Sequence, residues 1–269
     1  MFIDADDWIF PSRLGGFFCS KETSQYRLVF FPFSSTEEYD SSRTAARKAV
    51  KACDIADTMV RGENSSSLHA NYELNSCWSK LYRRNKLVGS DGHLIVSFPL
   101  GVRFSEDRLF NLEYLKNLKN DEVLFMDGFP LYHWNVEGSG TVASVKISDI
   151  DSVSHYANAV ANLAERNVIS TDEADALISR EVLNQFVRSV KTDDFDSAAV
   201  KEHWEKALSD SRIFVSLESK VPADVYGAFG YRRPVAWLLK QGRIDEAMKF
   251  CRFLWKVKSS MKGCTKKCN

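Results

Sequence analysis

The sequence has little that would mark a secreted, membrane-spanning or disulfide-stabilised protein. Its six cysteines are scattered over 269 residues, without the dense, regular spacing of a disulfide framework. No apolar run approaches the roughly 20 residues that a helix needs to cross a bilayer. The first seven residues carry three aspartates, whereas a secretory signal begins basic and continues apolar. We therefore expect a cytoplasmic protein with reduced thiols and no membrane span.

The usual sequence signatures of catalysis are also missing. Gly138-Ser139-Gly140 lacks the Gly-x-Ser-x-Gly pattern of a hydrolase nucleophile, and no glycine-rich phosphate loop precedes a predicted helix. The two thiols of Cys264 and Cys268 fall short of the four ligands of a structural zinc site. The sequence therefore predicts no metal site and no cofactor, and it favours a non-catalytic protein over an enzyme.

The order of the predicted elements indicates the fold class. Hydrophobic residues make up 44% of the chain and charged residues 27%, an ordinary globular balance. Strands crowd the first 150 residues and helices the rest. That segregation predicts an α+β fold, with a mixed, mainly antiparallel sheet and helices in the first half and a helical second half. We expect a sheet-containing region at 1–148, a mainly helical region at 149–258 and a basic tail at 259–269.

The most apolar run, from Val123 to Trp134, is predicted to be the hub of the first half. Two hydrophobic arms flank Asp127-Gly128, a pair typical of a tight hairpin because glycine accepts a positive φ. His133 is interpreted as a packed residue rather than a catalytic base, since no carboxylate or second histidine lies at a telling distance in sequence.

Capping boxes and hydrophobic spacing predict the other elements. Ser35 to Glu38 fits a capping box and predicts a helix that ends near Arg61. Ser170 to Glu173 is a second capping box, before a helix that ends near Val190. Further elements are expected as helices at 68–87, within 105–117, at 153–166, 234–241 and 244–257, and as strands at 94–98, 141–147 and 212–217.

Charge is distributed unevenly although its sum is zero. The 36 lysines and arginines match 36 acids, yet from Lys240 onward nine basic residues stand against Asp245 and Glu246. Such asymmetry indicates a polyanionic partner or an acidic protein surface. An anionic membrane is the less favoured partner, because the wide apolar face of the last predicted helix looks like core.

A second basic patch lies between Trp78 and Lys86, where aromatic residues alternate with lysine and arginine. Aromatic rings could stack on bases while the cations contact phosphates. On a helix, however, Trp78, Leu81 and Tyr82 would form an inward stripe, and that interpretation is favoured.

These patches favour a nucleic-acid-binding or adaptor subunit of a replication- or transcription-type assembly, whose partner is nucleic acid or an acidic protein surface, in a hetero- or homo-oligomer. The predicted binding residues are Lys80, Arg83, Arg84, Lys86, Lys249, Arg252, Lys256, Lys258, Lys262, Lys266 and Lys267. Two alternatives stay open. One is a protein-interaction or inhibitor module without nucleic-acid contact. The other is a divalent-metal nuclease that uses Glu218 and Lys220 of a Glu-x-Lys pattern.

Overall fold

The chain forms two compact units. A computed structural model describes residues 1–4, 6–10, 25–34, 47–61, 73–126, 130–135, 147–191, 197–218 and 232–265. Unit 1 comprises Met1–Pro99 and Ser105–Gly140, and unit 2 comprises Leu100–Phe104 and Thr141–Asn269. The predicted division into domains at residues 148 and 258 stays a prediction, because compact units need not be independently folding domains.

Two small sheets form the described core of unit 1. Its strands are β1 Trp8–Ile9, β2 Leu28–Phe30, β3 Phe33–Ser34, β4 Arg47–Val50, β5 Lys80–Tyr82, β6 Val123–Met126 and β7 Tyr132–His133. One sheet has the order β1-β7-β3 and the other β4-β6-β2-β5. Three strand pairs are antiparallel and two are parallel. Together with helices in both units, this confirms the predicted α+β fold and its mainly antiparallel pairing.

The apolar run from Val123 is a hub, but it is not a hairpin. β6 pairs with β2 and β4, whereas β7 pairs with β1 and β3, so the two arms belong to different sheets. Each arm is the inner strand of its sheet, and every residue of β6 is buried. The predicted turn at Asp127-Gly128 lies outside the described residues. His133 is buried and stacks on Trp8 with ring centroids 3.7 Å apart, as expected of a packed residue.

In the described part of unit 1, two α-helices accompany the sheets. They are α1 at Ala52–Arg61 and α2 at Glu106–Lys116. The predicted helix from residue 35 to 61 is wrong at 47–50, where the chain forms β4, and residues 35–46 lie outside the described part. The segment pairs with β6 as an antiparallel strand, and this tertiary pairing outweighs its helical propensity.

The predicted helix at 68–87 is wrong over its described part. Residues 74–79 form bends, 80–82 form β5, and Arg84–Lys86 form a single 3₁₀ turn. At 94–98 the predicted strand is absent too; a lone bridge joins Val88 to Leu94. A short run of apolar residues fits one face of a helix as well as a strand, so the spacing of apolar residues alone did not distinguish the two.

Lys80 is the most unusual core residue of unit 1. Its side chain is fully buried, and its Nζ donates to the carbonyl oxygens of Glu73 at 2.6 Å and of Ser76. The ammonium also lies 5.0 Å from the centroid of the Phe30 ring. Burial lowers the pKa of Lys80 to about 8, because desolvation disfavours the charged form.

Unit 2 is a helical bundle in its described residues. Its helices are α3 Ile147–Glu165, α4 Thr171–Lys191, α5 Ser197–Leu208, α6 Ser211–Glu218, α7 Arg232–Lys240 and α8 Ile244–Thr265. Trp204 is fully buried beside Phe186, and its Nε1 donates to Ser189 Oγ at 3.0 Å. No helix in the described ranges combines the length and the apolar character that crossing a bilayer requires.

Local signals set several helix ends of unit 2. The capping box before α4 is confirmed: Glu173 accepts from the Ser170 amide at 2.6 Å, and Ser170 Oγ accepts from the Glu173 amide at 3.3 Å. Gly242 ends the α7 segment with φ +67°, a conformation that favours glycine. α3 begins earlier than predicted, at Ile147, where a strand was expected to end. The strand predicted at 212–217 is wrong, because α6 occupies it.

We predict that Lys80→Met lowers the free energy of unfolding by about 3 kcal/mol, because the buried carbonyls of Glu73 and Ser76 lose their donor. Lys86→Met is the matched control. Its ammonium donates to the Asn117 carbonyl at an exposed site, so we expect a loss below about 1 kcal/mol. Urea unfolding measures both.

The difference in the free energy of unfolding between the wild type and Lys80→Met should also increase as pH rises. The pKa of Lys80 is lowered from 10.5 to about 8 in the folded state. Between these values the unfolded chain binds more protons than the folded chain, so the contribution of Lys80 to stability grows with pH. Two results would contradict this account of Lys80. One is an equal loss of unfolding free energy in Lys80→Met and Lys86→Met. The other is a difference between the wild type and Lys80→Met that decreases as pH rises.

Candidate functional site

An acidic segment near residue 1 is held against β7 by hydrogen bonds. Tyr132 Oη donates to Asp7 Oδ2 at 2.5 Å and accepts from the Asp4 amide at 3.1 Å. The Asn135 amide donates to Asp7 Oδ1 at 2.8 Å. Asp7 is therefore fixed through both carboxylate oxygens, while the side chains of Asp4 and Asp6 are exposed.

The acidic segment is electrostatically coupled to the first turn of α2. The pKa of Asp4 is raised, first by partial desolvation and then by the charges of Asp7, Asp107 and Asp6. Charges that raise the pKa of Asp4 in this way lie within Coulomb range of its carboxylate. Asp4, Asp6, Asp7 and Asp107, which we call the aspartate cluster, thus form one patch of negative potential on unit 1.

Asp107 is positioned by the loop that Lys80 closes. Its Oδ2 accepts from the Cys77 amide at 2.8 Å, and burial beside this carboxylate raises the pKa of the Cys77 thiol. Asn111, one turn further along α2, donates to the Asn75 carbonyl at 2.7 Å and accepts from Tyr82 Oη at 2.7 Å. The carboxylate of Asp107 is therefore held by backbone rather than by a flexible partner.

Aromatic rings border the aspartate cluster. Trp8 follows Asp7 directly, is partly exposed and stacks on His133. On the neighbouring residue of β7, Tyr132 stacks on Trp78, with centroids 4.9 Å apart and an interplanar angle of 14°. An exposed indole beside carboxylates offers a face for a planar or partly apolar ligand.

The cluster is not a ready-made metal site. Within the described ranges, no three side chains of histidine, cysteine, aspartate or glutamate are arranged to hold a metal ion. Carboxylate oxygens nevertheless suit hard divalent cations when further oxygens come from a ligand.

The basic residues predicted near Trp78 do not form one exposed patch. Lys80 points into the core of unit 1 and is bonded to carbonyls, so it is not at the surface. Lys86 donates to the Asn117 carbonyl at 3.2 Å, and the Arg83 amide donates to Tyr114 Oη at 2.9 Å. Arg84 is exposed at the start of the 3₁₀ turn. Whether Arg83, Arg84 or Lys86 binds a ligand stays a prediction.

The basic residues near the chain end belong to unit 2. Lys249, Arg252 and Lys256 are exposed on α8, and Arg252 donates to Ser197 Oγ at 2.9 Å. Lys258 and Lys262 lie within α8, while Lys266 and Lys267 lie outside the described residues. The two predicted basic segments therefore fall in different units, and their roles as binding residues stay predictions.

Sequence reasoning missed the aspartate cluster and Tyr132. The available signal was the density of aspartates at 4, 6 and 7 beside Trp8, which counted in sequence only as evidence against a secretory signal. Asp107 lies in the segment 105–117, for which only a helix was predicted. Nothing local in sequence connects these residues to Tyr132, which is 125 positions from Asp7.

No family model and no curated protein matches the chain. A solved structure does: residues 1–349 of S. aureus TarS, crystallised in complex with UDP-GlcNAc. The match has a TM-score of 0.56 and 15% sequence identity, and it covers 95% of this chain and 67% of that chain. At this identity the likeness shows the fold alone.

The comparison corrects the predicted function and partners. A nucleic-acid-binding or adaptor subunit, with nucleic acid or an acidic protein as its partner, was wrong, and so was the interaction-module alternative, because the fold matches a protein that binds a nucleotide sugar. The nuclease alternative also fails on structure: Glu218 ends the helix α6 rather than a strand, and Lys220 lies outside the described residues. The chain is therefore similar in fold to residues 1–349 of TarS.

Proposed function

We propose that this protein transfers a sugar from a nucleotide-activated donor to an acceptor hydroxyl. The observation that carries the proposal is the match of 95% of the chain to TarS in complex with UDP-GlcNAc. A nucleotide sugar is an activated glycosyl donor because the nucleoside diphosphate is a good leaving group. The aspartate cluster of unit 1 supplies the chemistry that such a donor requires.

The exposed carboxylates of Asp4 and Asp6 are the proposed contact to the donor diphosphate. Like charges repel, so a diphosphate approaches carboxylates favourably when a divalent cation lies between them. The described residues hold no three-ligand group. Asp4 and Asp6 would hold such a cation through their carboxylates, and its charge would offset the repulsion between them and the diphosphate. Trp8, next to Asp7, offers a stacking face for the uracil or the sugar.

Asp107 is the proposed general base. In glycosyl transfer the acceptor oxygen bonds to the anomeric carbon, the bond from that carbon to the diphosphate oxygen breaks, and the diphosphate leaves with the electron pair. The acceptor hydroxyl must lose its proton as this happens. A carboxylate held in place by the Cys77 amide is suited to take that proton because its position is fixed before the reaction.

We predict that UDP binds the full chain more tightly in magnesium chloride than in EDTA, by at least about tenfold, because repulsion between the diphosphate and the aspartate cluster is then relieved. Isothermal titration calorimetry with UDP measures this. Asp4→Asn should reduce the dependence on magnesium. Absence of UDP binding in both conditions would contradict the proposed donor site.

We predict that Asp107→Asn lowers the turnover of UDP-GlcNAc, followed as UDP release, by about 10²–10⁴-fold while UDP binding persists, because general-base catalysis typically contributes that factor. Asp57→Asn is the matched control, since Asp57 is an exposed carboxylate of the same unit on α1. If the Asp107 and Asp57 variants retain equal turnover, Asp107 is not the base.

We predict that Tyr132→Phe lowers the free energy of unfolding by about 2 kcal/mol and weakens UDP binding. The change removes the hydroxyl that donates to Asp7 and accepts from the Asp4 amide, and a hydrogen bond to a charged group contributes about 1.5–3 kcal/mol. Asp6→Asn is the control for stability and should change it by less than about 0.5 kcal/mol. Urea unfolding measures the change in stability, and calorimetry measures the change in UDP binding. If Tyr132→Phe changed neither, Tyr132 would not position the acidic segment.

A further inference from the structure

A row of aromatic rings extends from the aspartate cluster along one face of the sheet β1-β7-β3. Tyr132, whose hydroxyl holds Asp7, stacks on Trp78 with centroids 4.9 Å apart. Phe33 meets the Trp78 ring edge-on at 5.1 Å and the Trp134 ring edge-on at 6.1 Å. Phe33 is the partner of Tyr132 across β3 and β7, so these two side chains lie on the same face. We call Trp78, Phe33 and Trp134 the aromatic row.

The aromatic row becomes more exposed along its length. Tyr132, where it begins, is fully buried. Trp78 and Phe33 are half-buried, and Trp134 is 42% exposed. The indole of Trp134 therefore ends the row at the surface, where a ligand can reach it.

The backbone of Trp134 is fixed although its indole is exposed. Its amide donates to the Ser34 carbonyl at 2.8 Å, and the amide of the next residue, Asn135, donates to Asp7 Oδ1 at 2.8 Å. An aromatic side chain on a fixed backbone loses little conformational entropy when a ligand binds. Trp134 is thus held close to the aspartate cluster in a form suited to binding.

The other end of the aromatic row lies next to the proposed base. Trp78 follows Cys77, whose amide donates to Asp107 Oδ2 at 2.8 Å. Asp7 is bonded to Asn135, which follows Trp134. Each of these two anchored carboxylates is therefore bonded to a residue that adjoins the aromatic row in sequence.

Aromatic rings beside carboxylates suit one class of acceptor. A sugar has hydroxyl groups at its edge and a face of C–H bonds. The C–H face packs on aromatic rings, and carboxylates accept hydrogen bonds from the hydroxyls. An acyl chain would use the rings and leave the carboxylates unbonded, whereas a phosphate group would be repelled by them. Carbohydrates are the acceptors that use both kinds of group.

We propose that the aromatic row binds a carbohydrate acceptor, with one sugar ring packed on Trp134 and the attacking hydroxyl directed to Asp107. The inference rests on the proposed sugar transfer, because it assigns the acceptor of that same reaction. The acceptor oxygen bonds to the anomeric carbon of the donor sugar, its proton passes to Asp107, and UDP leaves with the electron pair of the broken bond. The product is an acceptor carbohydrate longer by one sugar.

The test measures UDP release from UDP-GlcNAc by the full chain in magnesium chloride, with chitotriose, cellotriose or maltotriose as the acceptor. We expect at least one trisaccharide to increase UDP release until it saturates. Trp134→Ala should raise the trisaccharide concentration for half-maximal release by at least about tenfold, since truncation of a tryptophan at a contact commonly weakens binding by that factor. Trp134→Tyr keeps an aromatic ring and should restore most of the loss. UDP binding should be unchanged in both variants.

Trp237→Ala is the matched control, because Trp237 is an exposed indole of unit 2, 53% accessible to solvent. It should behave like the wild type. Phe33→Leu is a second test that keeps an apolar side chain but removes the ring between Trp78 and Trp134, and it should also raise the half-maximal concentration. Circular dichroism and the thermal midpoint check that each variant folds.

Several results would overturn the carbohydrate acceptor while leaving the donor site intact. UDP could bind without stimulation of its release by any of the three trisaccharides, or glycerol phosphate or a serine-containing peptide could stimulate release in their place. Equal half-maximal concentrations in the wild type, Trp134→Ala and Phe33→Leu, or an equal rise in Trp237→Ala, would also overturn it. Absence of UDP binding in magnesium chloride would overturn the proposed function and this inference together.

Discussion

Unit 1 depends on the run from Val123 to His133, because its two arms provide the inner strands of two different sheets. β6 is buried throughout, and Phe125 stacks on Phe30 of the parallel strand β2 with centroids 4.5 Å apart. β7 then places Tyr132 Oη against Asp7 and the Asp4 amide. Since side chains alternate along a strand, a shift of β7 by one residue would turn Tyr132 away from the acidic segment. The geometry of the aspartate cluster therefore follows from the strand register.

A buried cation links the same core to Asp107. The ammonium of Lys80 is bonded to the carbonyls of Glu73 and Ser76, which shapes the loop whose Cys77 amide holds Asp107. Burying a lysine is costly unless its donors are satisfied, so the two carbonyl acceptors offset that cost and hold the loop in one conformation. The same residue looked in sequence like a phosphate ligand, because a lysine between aromatic residues has the same pattern whether its ammonium meets carbonyls or solvent.

The sequence predicted best what short-range interactions determine. The capping box at Ser170 and Glu173 and the start of the last helix at Ile244 were predicted correctly because each signal lies within a few residues. The strands β4 and β5 were mistaken for helices, since their conformation is imposed by β6 and β2, distant in sequence. The aspartate cluster was missed for the same reason: Asp7 and Tyr132 meet across 125 positions, and no local pattern encodes that contact.

The basic end of the chain shows why charge alone does not identify a polyanion. Lysines and arginines attract nucleic acid, acidic proteins and anionic lipid alike, so the count of cations could not choose among them. From the sequence, a membrane partner was less favoured because the wide apolar face of the last helix was expected to be buried in the core. That expectation holds for Ile244, Ala247, Met248 and Cys251, which are buried, but not for Phe253 and Val257, which are exposed.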